Sequence, residues 1–204
     1  MDLFSRLWYT GFHTKKTGKW KIMIAISYTA LGIFISCIWL AVRFFCWMKT
    51  KKFSWKRELE LLTVYICIVV VVRFTFFPFD KIDGQLQPLL FDAARAFPFR
   101  INRIPFVNLM DYPERRSALL NIIGNTTMFL PLGIVWPAVY RKLNTHKKVI
   151  AAGVGVSLCI EILQLPFFDR VSDIDDLILN SVGFLAGYGI FLLFRIIRNQ
   201  IKRV

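Results

Sequence analysis

Five long apolar stretches punctuate the chain, at residues 22–42, 61–79, 117–140, 149–168 and 177–194. Three of them contain no charged residue. The second is interrupted by Arg73 alone and the fourth by Glu161 alone. A helix needs roughly 20 apolar residues to cross about 30 Å of hydrocarbon. Within lipid a helix also satisfies its own backbone hydrogen bonds. The pattern therefore predicts an all-α fold, a polytopic membrane helical bundle of about five transmembrane helices. The first run follows a polar lead, exceeds the length of a signal-peptide core and lacks a small-residue cleavage site, so it is expected to be a permanent helix.

The polar connections set a topology. Residues 43–60 hold Arg43, Lys49, Lys51, Lys52, Lys56 and Arg57. Residues 141–148 hold Arg141, Lys142, Lys147 and Lys148. The tail holds Arg195, Arg198, Lys202 and Arg203. The connection at 169–176 is acidic instead, with Asp169, Asp173, Asp175 and Asp176 against Arg170. Positive charge accumulates on the cytoplasmic side. The C-terminus is thus expected in the cytoplasm and the acidic connection outside. Five helices then put residues 1–20 outside, despite Arg6, Lys15, Lys16 and Lys19. Either the first helix breaks the rule, or residues 3–12 enter the interface, or the count differs by one. Trp8, Trp20, Trp47 and Trp55 read as interfacial anchors. The connection at 80–116 contains Pro88, Pro98, Pro105 and Pro113, which excludes one long helix. Short amphipathic pieces on the membrane, such as 89–97, fit it.

Composition changes little. The chain is 56% hydrophobic with a mean hydropathy of +0.52, above the range of soluble domains. Its net charge of +14 sits between apolar runs and accompanies no nucleic-acid motif, so nucleic acid is excluded as a partner and membrane lipids are expected. Cys37, Cys46, Cys67 and Cys159 show neither metal spacing nor a disulfide pattern, and read as packing residues.

The candidate chemistry lies in the polar residues inside the apolar runs. Ionisable groups there are expensive and face protein or water. In the topology above, Arg73 and Glu161 lie at a similar depth, roughly 10 Å below the outer boundary. An Arg73–Glu161 pair is one reading; snorkelling of Arg73 to the headgroups is the other. Ser157, Glu161 and Gln164 share one helix face, as do Asn121 and Asn125. Asp173, Asp176, Asn180, Gly183 and Gly187 share another. Pro131 is expected to kink its helix beside Gly133, and Gly183-x-x-x-Gly187 permits a close helix approach. Together these residues form an outward-facing polar layer.

Plainer readings stand beside this one. Asn121, Asn125, Gln164 and Asn180 serve equally as interhelical hydrogen-bond glue. Ser172-x-x-Asp175 has the form of a capping box. Glu161, Asp173 and Asp176 are weak candidates for a divalent cation, without a fixed ligand spacing. His13 and His146 read as surface residues.

The ordered set Asn121-x-x-x-Asn125-x-x-x-Phe129-x-Pro131-Leu132-Gly133, Glu161-x-x-Gln164 and Arg170-x-x-Asp173-x-x-Asp176-x-x-x-Asn180-x-x-Gly183-x-x-x-Gly187 resembles the VanZ-like family. The upstream Asn102-x-x-Pro105-Phe106 is similar to the segment before that family's second core helix. The resemblance divides the chain into residues 1–58 (tail, first helix and basic connection), a membrane domain at 59–197 and a basic tail at 198–204. It implies a multi-pass protein of the bacterial plasma membrane. The family's namesake is associated with low-level resistance to teicoplanin, a lipoglycopeptide antibiotic acting on cell-wall precursors outside the membrane. On that resemblance, the outward layer of Arg73, Asn121, Asn125, Glu161, Gln164, Arg170, Asp173, Asp176 and Asn180 is expected to engage a lipid, a lipid-linked wall precursor or the glycopeptide. Arg73 and Arg170 are its candidates for phosphate. Two alternatives stay open: a membrane enzyme acting on a polyprenyl phosphate or glycolipid, with Glu161 as base, and a small lipid transporter.

Overall fold

The structure, a computed structural model, describes residues 8–9, 24–77, 81–82, 85–91, 100–106, 115–167 and 170–203. Five helices carry it: α1 Tyr28–Thr50, α2 Trp55–Phe76, α3 Arg115–Val139, α4 His146–Gln164 and α5 Ile174–Ile201. The fold is an all-α membrane bundle. Four helices, α1, α2, α3 from Ala118 onward and α5, are long and apolar enough to cross a membrane. The fifth, α4, has 19 residues and includes Lys147, Lys148 and Glu161.

Short strands join the helices: β1 Trp8–Tyr9, β2 Ile24–Ile26, β3 Lys81–Ile82, β4 Gln85–Leu86, β5 Leu89–Phe91, β6 Ile101–Asn102 and β7 Ser172–Asp173. The described chain forms two compact units. The first comprises Met1–Trp55, Val72–Arg100 and Leu163–Val171; the second comprises Lys56–Val71, Ile101–Ile162 and Ser172–Val204.

In the first unit, β1, β2 and β5 form an antiparallel sheet, with Ala25 opposite both Tyr9 and Leu90. The expected amphipathic helix at 89–97 is therefore corrected at its start. Residues 89–91 are extended because β2 supplies partners for their backbone groups. The remainder, 92–97, lies outside the described residues, as do 3–7, 10–12, the basic N-terminal positions, Trp20 and Asp169. Phe77 is fully buried and meets the edge of Tyr28 at 5.4 Å. Phe167 bridges to Phe91 and packs its ring on Phe76 and Phe91. The start of α1 is fixed by Ser27, whose Oγ accepts from Ala30 N at 3.2 Å.

In the second unit, the glycines decide the packing. A Cβ on Gly183 would meet the Thr126 carbonyl; one on Gly187, the Leu130 carbonyl; one on Gly133, the Phe184 carbonyl. The hydrogen atom of glycine is what lets the two backbones touch. Four residues along α5 correspond to four along α3, so these helices run parallel. Helix α4 runs antiparallel to α5. Ser157 donates to Leu177 O at 3.4 Å, and His146 Nδ1 and Tyr188 Oη share a hydrogen bond of 2.9 Å. His146, expected as an ordinary surface residue, is exposed and has this one partner on α5. The Phe184 ring fills the space that Gly153 leaves open on α4, with Phe129 and Leu132 buried on α3. Helix α3 continues through Pro131 and Pro137.

Candidate functional site

The sequence-predicted polar residues fall into two groups, one in each unit. The larger belongs to the second unit and surrounds the first turn of α5. Parallel pairing of β6 with β7 sets Ile101 against Ser172 and Asn102 against Asp173. That pairing holds Ser172 in a strand, so the expected capping box is not made. Asp173 is the N-cap instead, with Oδ1 accepting from Asp175 N at 3.0 Å. The same oxygen accepts from Asn102 Nδ2 at 3.1 Å. An acid at this end also complements the helix dipole.

Each neighbouring carboxylate has a distinct hold. Glu161 reaches across from α4, where its Oε2 accepts from Asp173 N at 2.8 Å. Asp176 accepts from Asn125 Nδ2 at 2.5 Å, and Asn125 also donates to Asn121 Oδ1 at 3.3 Å. Asp175 turns toward the preceding connection and accepts from Phe106 N at 2.7 Å. Phe106 has a φ of 67°, a left-handed backbone unusual for a residue other than glycine. Asp175 and Asn102, whose Oδ1 accepts from Ile104 N, clamp the 102–106 connection over the start of α5.

Burial sharpens the group. Glu161 is 4% exposed, Asp175 2% and Asn180 1%. Asp175 Oδ2 and Asn180 Oδ1 are buried without a hydrogen-bond partner, as is Gln164 Oε1 in the first unit. Native proteins satisfy nearly all such groups. Four carboxylates and four asparagine amides in one helix-end cluster can accept hydrogen bonds and hold positive charge. Among the described residues, however, no three His, Cys, Asp or Glu side chains gather as metal ligands do. Glu161, Asp173 and Asp176 do not form such a group of three.

The smaller group belongs to the first unit and serves the end of α2. Gln164 Nε2 donates to Thr75 O at 2.8 Å. Arg170 donates from both Nε (3.1 Å) and Nη2 (2.6 Å) to Phe76 O. Arg73 donates to Phe77 O at 3.0 Å and lies over the Tyr28 ring at 5.7 Å. Three carbonyls left open by the helix end thereby gain side-chain donors, two of them cationic. Arg73 and Glu161 each have a partner within their own unit. Both arginines, the sequence-level candidates for phosphate, thus hold backbone carbonyls at this helix end.

With this geometry in view, comparison with known proteins decides the family. A model described as VanZ/LLP1 matches residues 62–195. The chain belongs to the VanZ/LLP1 family. No curated protein and no solved structure matches the chain. The VanZ/LLP1 match includes every residue of both polar groups and the glycine seam. It leaves out α1, its connection to α2, and Arg57. That arginine donates to Val139 O at 2.7 Å and pairs with Glu60 at 3.1 Å, closing the far end of α3.

Two members of the larger group escaped the sequence reading as site residues. Asp175 was absorbed by the capping-box pattern, although three acids within four residues exceed what a cap needs. Asn102 entered only through the resemblance, because its partner Asp173 lies 71 positions away.

Proposed function

We propose that this VanZ/LLP1 protein is a bacterial cell-envelope factor in the plasma membrane, with its C-terminus in the cytoplasm. Its polar group at the start of α5 engages a lipid or lipid-linked cell-wall component from outside and so lowers glycopeptide action. The observation that carries this reading is the pair of buried acceptors, Asp175 Oδ2 and Asn180 Oδ1, which lack a hydrogen-bond partner. Leaving a buried acceptor unsatisfied destabilises the fold by about 1–3 kcal/mol. Such groups are characteristic of sites kept for binding at the expense of stability. The basic C-terminal end of α5 and the acidic start supply the orientation.

The test uses a teicoplanin-susceptible host expressing the full chain. Asn180→Leu and Glu161→Gln remove an acceptor or a charge while keeping similar volume. Each is expected to restore teicoplanin susceptibility at unchanged membrane abundance. Susceptibility identical to that of cells expressing the unaltered chain would refute the assignment. The enzyme and transporter readings gain no comparable support. Both arginines meet helix-end carbonyls, and among the described residues no three His, Cys, Asp or Glu side chains gather as metal ligands do.

A further inference from the structure

The connection between α1 and α2 lies outside the VanZ/LLP1 match and outside the polar groups above, and its chemistry is different. Between Arg43 and Glu58 the sequence has no acidic residue, while Arg43, Lys49, Lys51 and Lys52 precede the start of α2. Three aromatic rings gather in the same stretch. Trp47 meets Phe53 edge-on at 5.4 Å, and Phe53 meets Trp55 edge-on at 5.0 Å. The Arg43 guanidinium lies 5.9 Å from the centre of the Trp47 ring.

The local backbone builds this arrangement. Lys51 N donates to Trp47 O at 2.8 Å and ends α1. Lys51 itself adopts a left-handed backbone, with φ of 49°. Glycine is the usual residue at such a helix end. Here the position carries a charged side chain at the tip of the turn. Lys49, Lys51 and Lys52 are all exposed, and so are Phe44, Phe45, Met48, Phe53 and Trp55. Large exposed rings interleaved with cations suit a single environment, the boundary between acyl chains and headgroups. There the rings sit at headgroup depth and the cations meet phosphate.

We propose that residues 43–55 form a headgroup-binding hairpin selective for anionic phospholipid. The aromatic cluster fixes the depth of the hairpin, and the four cations distinguish an anionic headgroup from a zwitterionic one. Charge complementarity carries the choice of partner: four cations with no acid among them attract net negative charge. The reading is independent of the function proposed for the start of α5.

The full-length protein is to be purified in nanodiscs containing equal amounts of phosphatidylglycerol and phosphatidylcholine, with retained lipid counted by native mass spectrometry at low salt. The unaltered chain is expected to retain phosphatidylglycerol preferentially. Lys49→Gln, Lys51→Gln and Lys52→Gln combined are expected to lower that preference at least fivefold, about the worth of one cation near an anionic surface. These side chains are exposed, so the variant keeps its fold. Lys202→Gln with Arg203→Gln, at the end of α5, is expected to leave the ratio unchanged. Equal retention of the two lipids by the unaltered chain would overturn the proposal. So would an unchanged ratio in the triple variant, an equal loss in the tail variant, or retention of an acidic protein in place of lipid.

Discussion

Asn125 Nδ2 lies 2.5 Å from Asp176 Oδ1, tying the middle of α3 to the first turn of α5. The bond is made beside the glycine seam, where the two backbones already touch. Removing the donor leaves a half-buried carboxylate short of a partner. Asn125→Ala is expected to destabilise the protein by about 1 kcal/mol, in the range of interhelical hydrogen bonds in membrane proteins. Asn125→Asp sets a second acid against Asp176 and is expected to lose more. Thermal unfolding in detergent, read by aggregation, orders the three proteins.

Arg170 places two N–H groups on the Phe76 carbonyl. Arg170→Ala is expected to cost about 1.5–3 kcal/mol, the range for hydrogen bonds from charged groups. Arg170→Lys recovers only part, because an ammonium lacks the fixed fork of a guanidinium. In this role the midpoint of unfolding falls, while teicoplanin resistance per folded molecule stays constant. A fall in resistance at unchanged stability would instead make Arg170 a ligand-binding residue.

Six of the glycines fall into two classes that mutagenesis should separate. A methyl group at Gly133, Gly183 or Gly187 meets a backbone carbonyl, which has no rotamer to move into. Each glycine-to-alanine change there is expected to cost about 1–3 kcal/mol through overpacking. Gly124, Gly155 and Gly189 have nothing within 4 Å of the same methyl group. Alanine at those helix positions is expected to be neutral or slightly stabilising. Monodispersity in size-exclusion chromatography distinguishes the classes.

Asp173 caps α5 and also receives Asn102. Asp173→Ala is expected to destabilise by about 1 kcal/mol for the lost cap, plus the release of the 102–106 connection. Asp173→Asn keeps an acceptor and is expected to lose less. Limited proteolysis at that connection, compared between the two variants, reports the release.

The proposed sidedness has its own readout. A fluorescent protein that matures only in the cytoplasm, fused after Val204, is expected to fluoresce. A periplasmic reporter enzyme fused at the same point is expected to stay silent. The reverse result would invert the polar group at the start of α5 and exclude its engagement from outside.

Much of the helical architecture was legible because lipid imposes length and apolarity on any span. α1, α2 and α5 can be read almost directly from their apolar runs. Gly183-x-x-x-Gly187 announced a close approach, though only the paired carbonyls of Thr126 and Leu130 reveal its partner. Less legible were contacts between side chains and remote backbone. Nothing near Arg73, Gln164 or Arg170 indicates that all three donate to consecutive carbonyls at the end of α2, because an exposed helix-end carbonyl has no sequence signature. Arg57 read as one of many flanking cations, yet it closes α3 through Val139 O. Ser172 fitted a cap by spacing, but strand pairing with Ile101, invisible locally, shifted the helix start by one residue.

The parallel course of α3 and α5 has a consequence for biosynthesis. Parallel neighbours require an intervening crossing, so α3 leaves the ribosome well before the helix it touches. Until α5 follows, the surface around Gly133 has only lipid against it, and Asn125 has no carboxylate to meet. The seam therefore closes only once α5 has been made.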